Sequence, residues 1–192
     1  MKPKLSILIP TICGREDSLE LLLEELYRQR IALEYPNIVQ FYIEKDAKEK
    51  SVGEKRNILI ERASGEYVSH IDDDDRISDD YIKQLLAGIE KSCDVITFNV
   101  SVSLNGDTPK ICYYSIDFES DYNEPSAYYR LPNHLMCVKR ELAVQVPFKE
   151  INFGEDADYA KRLKPLLKTE HSINKVLYHY DFNSQTTETQ KR

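Results

Sequence analysis

The chain has 192 residues, enough for one domain with a substantial core, or for one with a small appendage. Hydrophobic residues at 41% and charged ones at 31% are the composition of an ordinary globular protein, and 33 acidic against 26 basic residues give a formal net charge of -7. That balance argues against a general nucleic-acid binder, because no excess positive field draws phosphates in, and no apolar run approaches the ~20 residues of a membrane-spanning helix.

Leu5-Ser-Ile-Leu-Ile9 is β-branched and apolar and reads as a buried parallel strand closed by Pro10. It is too short for the apolar region of a signal peptide. Leu19, Leu22, Leu23, Leu26 and Tyr27 follow at helical spacing and form one apolar stripe. Ile38 to Ile43 is a second strand. Ser51 and Glu54 match a capping box, with Ser51 as N-cap and Glu54 at N3. The helix they open carries Val52, Leu59 and Ala63 on one side and stops at Gly65. Glu66 to Ile71 is a third strand, and Ser78 caps a helix with Ile82, Leu85, Leu86 and Ile89 inward. Asp94 to Phe98 is a fourth strand.

This alternation predicts an α/β fold with a mostly parallel central sheet, flanked by helices on right-handed crossovers. Residues 100–135 are rich in Tyr, Ser, Asn and Pro and read as short strands and loops. Glu155 to Leu163 is a short helix stopped before Pro165, and Ile173 to Tyr180 a last strand. The polar segment 183–192 reads as a fraying tail. A regular half followed by an irregular one suggests a composite site between them.

Four consecutive aspartates, Asp72 to Asp75, begin where the third strand ends. Neighbouring carboxylates repel by roughly 1 kcal/mol per close pair in water, and by more where water is scarce. A divalent cation reverses that sign, and an all-oxygen cluster suits hard ions such as Mg2+, Mn2+ or Ca2+. A solvated acidic loop is the bland alternative, but the ends of strands are where open α/β sheets place ligands. Cys13, Cys93, Cys112 and Cys137 lie far apart with no CxxC pair, which argues against a thiolate zinc site. Nothing points to secretion, so free thiols in a reducing, cytoplasmic compartment are expected.

Four landmarks occur in a fixed order. They are Leu5-Ser-Ile-Leu-Ile-Pro-Thr11, then Ser51-Val-Gly-Glu-Lys-Arg-Asn57 leading through Ala63-Ser-Gly-Glu-Tyr67 to Ile71-Asp-Asp-Asp-Asp75, then Phe153-Gly-Glu-Asp156, then Leu177-Tyr-His-Tyr180 with Ser184. Each alone is weak, but order and spacing together are specific. On these residues, from Leu5 to about Thr187, the chain resembles the family 2 nucleotide-sugar glycosyltransferases of the GT-A fold. Its compact form resembles virus- and bacterial-type members, so that a virus-encoded version would act in the host cytoplasm. The resemblance implies one domain over 1–182, with a nucleotide-binding half (1–99) and an acceptor or catalytic half (100–182).

It further implies an inverting transfer of a sugar from a nucleotide-diphosphate sugar, UDP-sugar foremost, to a hydroxyl of a glycan or other acceptor, assisted by Mn2+ or Mg2+. Asp74 would bind the metal, with Asp72 or Asp73 reaching the ribose or supporting the metal through water. Four aspartates leave that register ambiguous by one residue. His179 would supply a last metal or phosphate contact. Pro10, Thr11 and Arg15 would flank the base and phosphates, Asp46 (or Glu44) would hold the base, and Lys55, Arg56, Asp72 and Asp73 would complete the donor site. Asp156 is the candidate general base, with Glu155 and His134 toward the acceptor.

Blander readings stand beside these. Glu155 and Asp156 could be acids that favour a helix N-terminus. Lys55 and Arg56 could form a solvated basic face, and His134 could be a packed, hydrogen-bonded histidine. His70 reads as structural, and the pairs Tyr113-Tyr114 and Tyr128-Tyr129 as half-buried strand residues that could also stack on a sugar. The segment Glu44-Lys-Asp-Ala-Lys48 departs from the acidic-Gly-Ser element usual after the second strand. Gln-x-x-Arg-Trp is missing and the chain has no tryptophan, which argues against a processive synthase. Two other classes are weighed. A sugar-phosphate nucleotidyltransferase would show a Gly-rich loop after the first strand, which Pro10-Thr-Ile-Cys-Gly-Arg15 is not. A non-catalytic metal- or glycan-binding module would not need Asp156.

Overall fold

The computed structural model describes residues 2–182, so the tail and Ser184 lie outside the described residues. The strands are β1 (Leu5–Ile12), β2 (Val39–Asp46), β3 (Tyr67–His70), β4 (Arg76–Ile77), β5 (Val95–Leu104), β6 (Lys110–Tyr114), β7 (Tyr122–Asn123), β8 (Ala127–Arg130), β9 (Cys137–Lys139) and β10 (Glu170–Phe182). The α-helices are α1 (Glu16–Ile31), α2 (Val52–Arg62), α3 (Tyr81–Ile89), α4 (Arg140–Ala143) and α5 (Glu155–Leu163).

The sheet runs β2-β1-β3-β9-β5-β6-β8-β7, with β10 along β5 and the short β4 along β10. The fold is α/β as expected, but the sheet is mixed rather than mostly parallel. β1 pairs in parallel with β2 and β3, and β10 in parallel with β5. The pairs β5-β6, β7-β8 and β4-β10 are antiparallel, and β9, a three-residue strand of the second half, inserts antiparallel between β3 and β5. So short an apolar segment carries no periodicity to announce it. The two halves of the chain thereby share one sheet.

The crossovers β1-α1-β2 and β2-α2-β3 run in opposite directions along the sheet, which puts α1 and α2 on opposite faces. α1 packs against α3, and α2 against β1, β2 and α5. β1 and β3 are buried on both faces, with Leu5, Ile7, Leu8, Ile9, Tyr67 and Val68 in the core. That is why they read as continuous apolar runs and not as alternations.

Several expected boundaries move. β1 does not close at Pro10 but continues to Ile12. The Leu8 carbonyl accepts from the Ile71 N–H, so the same-parity Pro10 faces the side where β3 has already ended. Its missing N–H therefore costs no ladder bond. Ser51 does cap α2, accepting from the Glu54 N–H at 3.1 Å. Gly65 is not the stop; α2 ends at Arg62 with Ala63 already extended. Ser78 is not the cap of α3, whose N-cap position is Asp80. Gln29 on α1 serves that helix start instead, with its side-chain oxygen accepting from the Ile82 N–H at 2.9 Å. Strand β5 runs on to Leu104, into the stretch expected to hold short strands and loops. All four cysteines are free. No helix among the described residues is long and apolar enough to cross a membrane.

Candidate active site

Two turns meet at the ends of β1, β2 and β3. The first is the aspartate run. The Asp75 N–H donates to the Asp72 carbonyl at 3.2 Å, which folds the four residues into a turn and sends their side chains in different directions. Asp73 points back under β1. It accepts from Thr11 Oγ1 at 2.5 Å and from Arg15 Nη1 at 2.6 Å, and it is 2% exposed. Arg15 also pairs with Asp74 Oδ2 at 3.0 Å. Asp75 is held from β10, where the Tyr178 hydroxyl donates to its Oδ2 at 2.6 Å. Burial, with the Asp72 charge nearby, pushes the Asp75 carboxyl well up.

Asp72 meets α2. Arg56, buried and cationic, donates from Nη2 to Asp72 Oδ1 at 2.9 Å, and His134 Nε2 lies 3.5 Å from Oδ2. Burial pushes the Asp72 carboxyl up, but Arg56 and His134 outweigh it and hold it well below the usual carboxylate range. Arg56 Nε lies 3.7 Å from Glu155 Oε1. One guanidinium thus spans the aspartate turn and the start of α5.

The second turn, 148–154, is tied to α2. Asn57 and Phe148 exchange two bonds, Asn57 Nδ2 to the Phe148 carbonyl at 3.0 Å and the Phe148 N–H to Asn57 Oδ1 at 2.7 Å. The Val52 N–H reaches Asn152 Oδ1 at 2.9 Å. Gly53 permits this approach, because a Cβ there would lie 1.8 Å from the Lys149 carbonyl oxygen. Gly154, at φ +80°, then turns the chain into α5. Glu155, Asp156 and Asp158 occupy the first helical turn, where the helix dipole favours acids. Glu155 is buried, and desolvation together with the neighbouring Asp156 charge raises its carboxyl despite Arg56.

Asp156 opens onto a cavity of about 480 Å³ in the second half. Its walls come from β5, β6, β7, β8, α5 and β10, with Tyr114, Tyr128, Leu131, Ala160 and Tyr180 among them. Tyr180 lines the cavity, and burial first, then the charges of Asp75, Asp72, Asp74 and Asp156, raise its pKa.

The expected residues fall into three groups. Thr11, Arg15, Asp72, Asp73, Asp74 and Arg56 form one connected network with Glu155. Lys55 and Asp46 stand beside it as a buried pair. Lys55 Nζ donates to Asp46 Oδ1 at 2.9 Å and to the Thr11 carbonyl at 2.9 Å, and the Lys50 N–H takes Asp46 Oδ2 at 2.6 Å. Lys55 and Arg56 are thus buried at 2% exposure each, not a solvated face. Glu44 pairs with Arg62 at 2.9 Å. His134 reaches the network, with His70 behind it at a ring distance of 6.4 Å. Neither imidazole has a hydrogen-bond partner among the described residues, nor do Arg56 Nε and Nη1.

His179 does not join the aspartates. It sits between Tyr178 and Tyr180, and strand alternation sends it to the other face. The charges acting on it are Arg76 and Asp181, and burial lowers its pKa. The motif Tyr-His-Tyr points inward through its tyrosines. Tyr178 and Tyr180 were missed because histidine draws attention as a ligand type, although period-2 alternation would have flagged both. Tyr113 and Tyr129 stack on the opposite face of their strands from the cavity, while Tyr114 and Tyr128 line it.

The chemistry of the acids limits what the turn can hold. Asp73 and Asp75 are committed to protein partners. Asp74 has one oxygen engaged, and Asp72 has one short bond and one long contact. No group of three or more His, Cys, Asp or Glu among the described residues is arranged to hold a metal. Two carboxylates nevertheless fit a hard cation that shares its shell with substrate phosphates and water, the usual arrangement for Mg2+.

The family model described as Glycosyl transferase family 2 matches residues 29–138. No curated protein matches the chain in sequence. Solved structures of S. aureus TarS residues 1–349 superpose with a TM-score of 0.67 at 18% identity, covering 93% of this chain and 60% of that one. The same protein in complex with UDP gives 0.68 at 19% identity, with 95% and 61% covered. In complex with UDP-GlcNAc it gives 0.67 at 18% identity, with 94% and 59% covered. The chain therefore spans about three fifths of the length of these structures, and the likeness is one of fold.

Proposed function

The chain belongs to glycosyl transferase family 2, and from that premise we propose that it moves a sugar from a UDP-sugar to an acceptor hydroxyl with inversion at the anomeric carbon. The observation that carries this reading is the span of Arg56, 2.9 Å from Asp72 and 3.7 Å from Glu155. It brings the aspartate turn and the Glu155-Asp156 pair, far apart in sequence, to one place. The choice of UDP is supported by the UDP and UDP-GlcNAc complexes of the similar fold.

The donor would lie across the ends of β1, β2 and β3, among Pro10, Thr11, Arg15, Asp46, Lys55, Arg56 and Asp73, where open α/β sheets take ligands. Lys55 ties Asp46 to the Thr11 carbonyl and so fixes the spacing of the first two strand ends. Asp74 with Asp72 would hold Mn2+ or Mg2+, whose chemistry at a diphosphate is to neutralise the charge of the leaving group. Asp156 takes the acceptor proton as the acceptor oxygen bonds to the anomeric carbon. The bond from that carbon to the UDP oxygen breaks on the opposite side, which inverts the configuration. Glu155, adjacent but buried, positions the acceptor side through Arg56. In this reading residues 1–99 serve the donor and 100–182 the acceptor.

The test is a panel of UDP-sugars with Mn2+ and simple hydroxyl acceptors, following UDP release and reading the product anomer by NMR. Product of inverted configuration is expected. Retained configuration, or no turnover and no UDP binding across the panel, would overturn the reading.

A further inference from the structure

We infer that the cavity beside Asp156 takes an uncharged saccharide, bound end-on, as the acceptor. The inference rests on the reading of Asp156 as the base. Its volume, about 480 Å³, falls in the range of small-molecule sites and has room for the terminal sugar of an acceptor.

The lining has the two-sided character of a sugar ring. Tyr114, Tyr128 and Tyr180 present broad aromatic faces, and Leu131 and Ala160 add apolar wall. Such surfaces match the C–H face of a pyranose. Asp121, Asn123 and Asn133 supply hydrogen-bonding groups among them. A lipid tail would leave those groups unpaired, at a cost in binding.

The charges select against anions. Among the described residues Arg130 is the one basic side chain of the lining, and its Nη1 donates to the carbonyl oxygens of Tyr122 and Tyr129, both at 2.9 Å. Its guanidinium also lies over the Tyr128 ring, 5.5 Å from the centroid. Against it stand Asp121 and Asp156 in the lining. A phosphate or carboxylate on the acceptor would meet two lining carboxylates against one guanidinium that is already partly engaged.

Saturation-transfer NMR on the whole chain without donor tests this. The probes are N-acetylglucosamine, lactose and methyl β-glucoside against glucuronate and glucose 6-phosphate. The neutral sugars are expected to bind, at least about tenfold tighter than the anions, the factor that one modest like-charge contact supplies. Ala160→Phe fills the cavity and should remove the signal, with melting temperature reporting the folded state. If that variant does not fold, Tyr128→Ala repeats the test at a half-buried position. Equal or tighter binding of the anions, a signal that survives both variants, or no saccharide binding would overturn the inference. UDP binding with Mn2+ is measured in parallel. Saccharide binding without UDP binding would sink the transferase reading and with it the acceptor role; UDP binding without saccharide binding would sink this inference alone.

Discussion

The Tyr178 hydroxyl donates to Asp75 Oδ2 at 2.6 Å and, on its other side, accepts from the Asp72 N–H at 3.1 Å. One phenol from β10 thus clasps both ends of the aspartate turn. Burial and the neighbouring Asp75 and Asp72 charges raise the Tyr178 pKa well above its ordinary value, so the hydroxyl keeps its proton to donate.

Removing that oxygen leaves the Asp72 N–H and a buried carboxyl without their partner. Tyr178→Phe should therefore cost about 1–3 kcal/mol of stability, the penalty for an unsatisfied buried polar group. The turn loosens, so affinity for UDP with Mn2+ should fall as well. Urea unfolding and calorimetric titration measure the two effects. A variant with wild-type values in both would show the clasp to be idle.

Gly53→Ala tests how the two turns are joined. The new Cβ would lie 1.8 Å from the Lys149 carbonyl oxygen, a backbone atom that cannot swing away. The loop leading to Glu155 and Asp156 must shift, at a cost of about 1–3 kcal/mol for overpacking. Transfer should fall more than UDP affinity, because the displaced loop carries the acceptor side. Kinetics with saturating donor would show this as a loss in kcat.

Glu155→Gln carries a pH signature. The folded Glu155 carboxyl is raised by desolvation, and Asp156 adds to the rise. The unfolded group titrates near 4.3. Between those values the native state holds the extra proton, so this group's contribution to wild-type stability falls as pH rises through the window. Glutamine does not titrate. Melting temperatures of variant and wild type should therefore diverge in the variant's favour as pH climbs from about 4, where the unfolded carboxyl begins to ionise. A pH-independent difference would mean that Arg56 fully compensates the buried charge.

Asp74→Asn addresses the metal. Burial raises the Asp74 carboxyl and the charges of Asp72 and Asp73 add to the rise, while Arg15 opposes it. The substitution relieves repulsion, so the melting temperature without metal should not drop. The rise in melting temperature on adding Mn2+ with UDP, which reports binding to the native state, should vanish. Thermal scans with and without EDTA give the answer, and full transfer in excess EDTA would remove the metal from the reaction.

The strand-helix order, the Ser51 cap and the position of the aspartates were legible because each rests on local chemistry: β-branched runs, a capping spacing, a charge cluster at a strand end. The insertion of β9 was not legible. Cys137-Val-Lys139 is three residues long, and its place is set by β3 and β5, not by its own pattern. The assembly of the site was only half legible. Arg56 was expected to face nucleotide, and its bond to Asp72 and approach to Glu155 depend on a buried position that sequence does not reveal. His179 was preferred to its neighbours for its ligand chemistry, while side-chain alternation in β10 turned the tyrosines inward instead. The 480 Å³ cavity draws its walls from six elements spread over the second half, which no window along the chain could collect.

Asp156→Asn bears on the reaction step itself. The substitution keeps the size of the side chain and removes the proton acceptor. A general base contributes about 10²–10⁴-fold, so kcat should fall by that factor. UDP affinity should hold, because Asp156 lines the cavity and the donor network runs through Asp72, Asp73 and Arg56. A helix-capping role predicts the opposite split: a loss of about 1 kcal/mol in stability with turnover retained. The Asp156 Oδ1 does accept from the Ala157 N–H at 2.7 Å, so both roles have a structural footing and the split decides between them. Near wild-type turnover with inverted product would move the base to Glu155, which would then have to leave the side of Arg56 to reach an acceptor hydroxyl.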